Sequence, residues 1–293
     1  MQETELVTVI CSCYNHEKFV IESIESVLNQ CHKNIQLIII DDFSSDNSIS
    51  VIENYILSYP EILFIKNKKN LGITTSFNNA VKFAKGNYII DLSADDVLLP
   101  NCVSAQLDTF YKSKFNNLAI VYGNAEIISE KGNHIYYNFE VNSNLKTIKK
   151  RNSGNLYADV ISTETTICSV SAMLKKSFFD ELNGYDDRLS YEDLDYWIRV
   201  SRFYSIEFID TVLMRKRKVQ NSLHSNFIKP NNKHGFSTNL ILKKAFSLNK
   251  NKKEHRILLK RINLEIKIAL KTKNYFLALM NILLRIQVGL KSI

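Results

Sequence analysis

Two adjacent carboxylates, Asp95 and Asp96, follow an apolar run in the stretch NYIIDLSADDVLLPN at residues 87–101. Side-by-side acids repel each other and gain nothing from hydrophobic neighbours, so the pair needs water or a cation. A divalent cation held by such a pair bridges to substrate phosphates and neutralises a departing diphosphate. A second pair, Asp41-Asp42, closes the apolar run IQLIIIDD, where a carboxylate can accept hydrogen bonds from a ribose hydroxyl or a base edge. A third acidic pair, Glu192-Asp193, stands in LNGYDDRLSYEDLDYWIRV at the start of a helical pattern. Any one such pair reads as a solvated cap or turn. Several at the same edge of one sheet do not.

The elements that would bring them to one edge can be traced along the chain. LVTVICSC is a short apolar run of strand composition, after which Phe19, Ile24, Val27, Leu28 and Cys31 recur at helical spacing. IQLIIIDD is a second strand, followed by the N-cap-rich SSDNS and a helical SVIENYILSY. ILFIKN is a third strand, LGITTSFNNAVKFAKG a loop and helix closed by Gly86, and NYIIDLS a fourth strand. Near-continuous apolar strands alternating with helices predict a parallel sheet buried on both faces. Ligands of such sheets bind at the carboxyl ends of the strands. Three polar clusters sit there: Ser12 to Asn15, Asp41 to Asp46, and Ser93 to Asp96. Further on, LAIVYGNAEII reads as a strand, GNHIYYNFEVNSN as a hairpin and exposed loop, and the polar, basic residues 142–155 as a mobile segment. A helix begins near Glu192. From about residue 237 to 293 the chain is helical, with one apolar stripe on Leu258, Ile262, Ile266 and Ala269 and another on Phe276, Met280, Leu283 and Leu284.

The 293 residues are 45% hydrophobic, enough for one large α/β domain with an appendage or for two small domains. No apolar run is long enough to cross a bilayer. The opening MQETELVTVICSCYN is acidic and enters a strand pattern directly, unlike a signal peptide. Five cysteines suggest reduced thiols in a cytoplasmic protein, and Cys11 and Cys13, on one face of a strand, read as small buried residues because no Cys/His cluster completes a metal site. The net charge of +8 is concentrated in residues 243–273, which hold eleven Lys/Arg against two Glu. The body is near neutral, so no nucleic-acid partner is expected.

The chain resembles the family 2 glycosyltransferases, inverting enzymes of the A-type nucleotide-sugar fold. The resemblance runs from about residue 6 to about 222, on VTVICSCYNHEKFVIESIESVLNQ, IIIDDFSSDNS, KNLGITTSFNNAVKFAKGNYIIDLSADDVLLP and LNGYDDRLSYEDLDYWIRV in that order. It implies an α/β, Rossmann-like A-type fold, with a mostly parallel central sheet flanked by helices. The catalytic domain would span residues 1–225, and a basic amphipathic helical region residues 237–293.

By the same resemblance Ser12 and Tyr14 face the nucleobase, the tyrosine ring stacking on uracil, and Asp42 reads the base. Asp95 and Asp96 share the ribose and the Mn²⁺ or Mg²⁺ beside the diphosphate, either being the principal metal ligand. Asp193 is the general base, with Glu192 its neighbour and first substitute. The implied activity moves a sugar from a nucleotide donor, UDP-linked, to a glycan or lipid-linked acceptor in bacterial surface-polysaccharide synthesis. Three departures stand out. Ser93 replaces the first acid of the common D-x-D-D form, so Asp91 and Ser93 are set aside as ligands. Phe43 stands where a glycine is usual, narrowing the base pocket. The histidine of an R-x-H stretch is missing, and RKRKVQNS offers Arg215, Arg217 and Lys218 to the diphosphate instead, with His224 out of step. Gly184 and Tyr185 set the loop before the base-bearing helix, where Tyr185 could line the acceptor site.

Rival readings are a sugar nucleotidyltransferase, whose Gly/Arg-rich phosphate loop is missing, and a non-enzymatic membrane-surface or nucleic-acid-binding protein acting through its basic tail. The tail's apolar face is open to three uses: an anionic membrane surface, packing on the core, or oligomerisation. The first would place the enzyme in the cytoplasm, peripheral on the inner face of the cell membrane.

Overall fold

The computed structural model describes residues 5–162, 166–219 and 233–292. In chain order it contains β1 (Val7–Cys13), α1 (Val20–Leu28), β2 (Ile35–Asp41), α2 (Ser48–Ile56), β3 (Leu63–Lys66), α3 (Ile73–Val81), β4 (Tyr88–Ser93), β5 (Val97–Leu98) and α4 (Cys102–Lys112). There follow β6 (Leu118–Ser129), β7 (His134–Tyr137), α5 (Tyr157–Ser162), β8 (Ala172–Lys175), α6 (Lys176–Glu181), α7 (Asp193–Phe203), β9 (Ser205–Lys218), α8 (Lys233–Leu248), α9 (Lys252–Lys271) and α10 (Tyr275–Ser292). The chain forms two compact units: Met1–Gly154 with Cys168–Gly184 and Ser205–Val219, and Asn155–Ile167 with Tyr185–Tyr204 and Gln220–Ile293.

The first unit is built on one sheet of order β3-β2-β1-β4-β8-β6-β9-β5, with β7 paired to β6. It is parallel from β3 through β4 and mixed beyond, where β8 runs antiparallel to both β4 and β6 while β9 lies parallel to β6. All seven residues of β1 and the last five of β2 are buried, which is why those stretches read as near-continuous apolar runs. Edge strand β3 is short, half exposed and ends in Lys66, features that discourage pairing with another chain. The chain leaves β1 for β2 and β3 on one side, then returns to β4 on the other. That reversal opens a crevice between the carboxyl ends of β1 and β4. Register brings the strand ends level, with Ser12 opposite both Ile40 and Ser93, and Cys13 opposite Asp41.

The stretch expected to form a hairpin of its own supplies one strand, β7, which pairs antiparallel with the preceding β6. The segment 142–155, expected to be mobile, is held by hydrogen bonds instead. Asn142 and Lys146 close a turn at 2.8 Å, Thr147 N–H reaches Asp210 Oδ1 at 2.9 Å, and Gly154 exchanges backbone hydrogen bonds with Ile206. Asp210 lies 63 residues from Thr147 in sequence, beyond what local composition can signal.

The second unit gathers α5, α7 and the C-terminal helices, so those helices share a body with two earlier segments. Lys244 on α8 bridges Asp186 and Asp195, and Arg202 on α7 pairs with Glu254 at 2.9 Å. The Tyr157 hydroxyl donates to Ala245 O or Asn249 Oδ1. Asn251 caps α9 by accepting from Glu254 N at 2.9 Å. On α9 the expected stripe buries Leu258, Ile262 and Ala269. On α10 the buried stripe is Leu277, Ala278, Asn281, Leu284 and Val288, while Phe276 and Leu283 are exposed. Apolar residues surround α10 almost completely, so periodicity alone does not fix which face is covered. Among the described residues no helix is long and apolar enough to cross a membrane.

Candidate active site

The loops that leave β1 and β2 are clasped together. Asp42 N–H donates to Cys13 O at 2.9 Å, and Asn15 N–H to Ser44 Oγ at 2.8 Å. Asn15 Oδ1 accepts from Ser45 N at 2.7 Å, and Glu17 carboxylate from Asn47 N at 2.9 Å. His16 N–H donates to Ser48 Oγ at 2.9 Å. The N-cap-like residues of SSDNS thus serve largely as rungs between two strand ends, a use that helix signals do not reveal. Within the clasp Tyr14 is 46% exposed, open to a ring-stacking ligand. Ser12 Oγ and His16 Nδ1 are buried and have no hydrogen-bond partner among the described residues.

Asp42 is 6% exposed and heavily engaged. It accepts from Asn67 Nδ2 at 2.9 Å and from the N–H groups of Leu71 and Gly72, both at 2.8 Å. Its carboxylate therefore shapes the loop before α3, whose turn needs Gly72 at φ 84°. Reading a base as well is left to its remaining acceptor capacity.

Asp95 and Asp96 come together just past β4, nearly buried at 8% and 2% exposure. Ser93 donates its hydroxyl to Asp95 Oδ1 at 2.5 Å, orienting that carboxylate from the position where an acid is usual. Asp96 Oδ1 accepts from Arg217 N at 2.8 Å. Burial, and then repulsion from Asp95, push the Asp96 carboxyl well above the usual carboxylate range, while Lys216 and Arg217 pull the other way. The segment is anchored by polar side chains on α1 and just past its end. Ser23 donates to Asp96 O, Ser26 Oγ accepts from Leu98 N at 3.1 Å, and Gln30 Nε2 donates to Leu99 O at 2.8 Å. His16 Nε2 stands 3.9 Å from Asp95 Oδ2.

These residues fit a hard divalent cation. Two crowded carboxylates are hard oxygen donors, and a cation would relieve the repulsion that adds to burial in raising Asp96. Among the described residues no group of three or more His, Cys, Asp or Glu converges as a complete ligand set.

The expected cationic trio separates. Arg217 is buried and engaged by the framework. Its guanidinium donates to Asp95 O and Glu130 O, both at 3.0 Å, pairs with Glu22, and lies 4.8 Å over the Phe19 ring. A charge buried to this degree must be partnered, and Nε, both N–H of Nη1 and one of Nη2 are used in this way. Arg215 is exposed and pairs with Glu126 at 3.0 Å, and Lys218 is exposed. Sequence reasoning missed Lys216, whose charge reaches both Asp96 and Cys168, and His16. It also missed Ser23 and Ser26 on α1 and Gln30 just past its end, whose i, i+3, i+7 spacing was the available signal. His224 lies outside the described residues.

In the second unit Glu192 is the N-cap of α7 and Asp193 its first residue. Asp193 Oδ1 accepts from Leu194 N at 2.6 Å, and negative charge is favoured at a helix N-terminus. Tyr185, a candidate for the acceptor site, is buried against Tyr196 with ring centroids 5.3 Å apart. Trp197 is buried and Arg199 pairs with Asp195 at 2.7 Å, as packing and helix-surface residues.

Comparison with known proteins places these observations. The profile of glycosyl transferase family 2 matches residues 8–182. An uncharacterized glycosyltransferase of Rickettsia felis is 31% identical over 213 residues, 72% of this chain and 34% of that protein. The chain thus spans about a third of the length of that relative. Another, from Methanocaldococcus jannaschii, is 31% identical over 72% of this chain and 70% of its own. Escherichia coli chondroitin synthase is 28% identical over 72% of this chain and 29% of its own. Among solved structures, S. aureus TarS 1-349 in complex with UDP-GlcNAc is similar at a TM-score of 0.72 and 15% identity, over 96% of this chain and 81% of that one. The mannosyltransferase PcManGT from Pyrobaculum calidifontis, in complex with GDP-Man and Mn²⁺, is similar at 0.61 and 12% identity, over 99% and 88%. With the crevice between β1 and β4, the acidic pair beyond β4 and the family profile in agreement, this chain belongs to glycosyl transferase family 2 and has the A-type fold.

Proposed function

We propose that this chain is an inverting, metal-dependent glycosyltransferase that moves a sugar from a UDP-linked donor to a hydroxyl of a glycan or lipid-linked acceptor. The observation that carries the proposal is the buried Asp95-Asp96 pair just past the strand end where Ser12 lies opposite Ser93, at the strand-order reversal of a family 2 chain. Asp95 and Asp96 would hold Mn²⁺ or Mg²⁺, which when bound supplies positive charge to the departing diphosphate. Tyr14 offers a ring face to the base and Ser12 a hydroxyl beside it. Asp193, with Glu192 as the nearest substitute, accepts the proton of the acceptor hydroxyl as that oxygen attacks the anomeric carbon. The bond from that carbon to the diphosphate oxygen breaks on the opposite face, and configuration inverts.

A setting in bacterial surface-polysaccharide synthesis is supported by the likeness to a chondroitin synthase. A uridine donor is supported by the TarS complex, whereas the PcManGT complex holds a guanosine one. A donor screen that measures release of UDP, GDP and dTDP from their sugar conjugates tests the assignment. Metal-dependent release of UDP alone is expected, and release of another nucleotide in its place would reassign the donor.

The C-terminal helices support a peripheral location on the inner, anionic face of the cell membrane. Phe276, Leu279, Leu283, Ile286 and Leu290 form an exposed apolar stripe on α10. The stretch 243–273 just before it carries eleven lysines and arginines. Apolar residues beside basic ones suit the boundary of an anionic bilayer.

A further inference from the structure

Phe43 has a backbone conformation that its side chain does not explain. Its φ of 66° puts a bulky aromatic residue in the left-handed region, where Cβ crowds the backbone and few residues other than Gly, Asn and Asp settle. The residue is 54% exposed, so burial does little to offset the strain. Strained backbone persists where its surroundings impose it, and such outliers cluster at ligand sites. Here the surroundings are rigid on both sides. Asp42 is tied to Cys13 O. Ser44 is tied to Asn15 N and, through its own N–H and Oγ, to the Asp41 carboxylate.

The same ties fix what lies opposite. Tyr14 sits between Cys13 and Asn15, the two residues that Asp42 and Ser44 bind. Phe43 and Tyr14 therefore occupy matching positions across the clasp, one from each strand end, and both rings are largely in solvent. β1 lies between β2 and β4, so a donor whose diphosphate is held beyond β4 extends its nucleoside over β1 toward β2. Asp42, the polar candidate there, already accepts three hydrogen bonds. Recognition of the base then falls to surfaces that meet its π-faces.

We infer that Phe43 is a nucleobase-contacting residue that acts with Tyr14, so that two rings rather than one flank the base of the donor. This rests on the nucleotide-site reading above and adds to it a second base-contacting residue that sets affinity. Stacking tolerates different bases but requires an aromatic surface, so leucine, of similar bulk, cannot replace the ring.

Titration calorimetry with Mn²⁺ present, using UDP and inorganic diphosphate as separate ligands, tests the inference on the full chain and on Phe43→Gly, Phe43→Leu and Phe43→Trp. Glycine accepts φ 66° without strain, so that variant folds with an unchanged or higher Tm. UDP affinity is expected to fall about tenfold in the Gly and Leu variants and to be kept in the Trp variant. Affinity for inorganic diphosphate is expected to be the same in all four proteins. Equal UDP affinity in Phe43→Gly and the unaltered chain overturns the inference while leaving the nucleotide site intact. A matching loss for UDP and diphosphate overturns it too, since the residue would then act by shaping the loop. Failure of the unaltered chain to bind UDP sinks the nucleotide reading and this inference together.

Discussion

Asp193 is the residue whose chemistry is most sharply exposed to test. Replacing it by Asn keeps its shape and its place at the start of α7 but removes its proton affinity. Turnover should drop by about 10²-fold or more, with UDP affinity little changed. Single-turnover kinetics beside a UDP titration separates the two quantities. Collapse of donor binding with surviving turnover would move Asp193 to the donor side and leave Glu192 as the base. At this scale the sequence was most legible where chemistry is unusual: adjacent acids after an apolar run mark Asp95 and Asp96 without any structure. It was least legible where a residue type has two common uses. Arg217 in a basic run looks like a phosphate ligand, yet it is 5% exposed and bound to backbone carbonyls. His16 gives no sequence signal, because what singles it out is an unpartnered buried ring nitrogen.

At the scale of elements, the loop that carries the acidic pair is held from two directions, by polar side chains of α1 and by β9 through Arg217. Arg217→Met keeps the stem but leaves Asp95 O and Glu130 O without their donor. Destabilisation of about 3 kcal/mol is expected, read as a lower denaturant midpoint at unchanged slope. Unchanged stability with weakened diphosphate binding would return Arg217 to the role its sequence suggests. Strands β1, β2 and β4 were evident because burial on both faces leaves a near-continuous apolar run. The covered face of α10 and the anchoring of residues 142–155 were not, since each depends on partners distant in sequence.

For the molecule as a whole, the charge and the exposed α10 stripe predict salt-sensitive flotation of the full chain with vesicles containing anionic lipid. Flotation that is absent, or equal with neutral lipid, removes the membrane assignment without touching the chemistry. The central claim, that the strand ends of β1, β2 and β4 form one metal–nucleotide site, is tested most directly by titrating UDP into the full chain with Mn²⁺ and again in EDTA. Binding with Mn²⁺ that is lost in EDTA, and lost in Asp96→Ala under both conditions, is the predicted result. UDP binding of equal strength with Mn²⁺, in EDTA and in Asp96→Ala would contradict it.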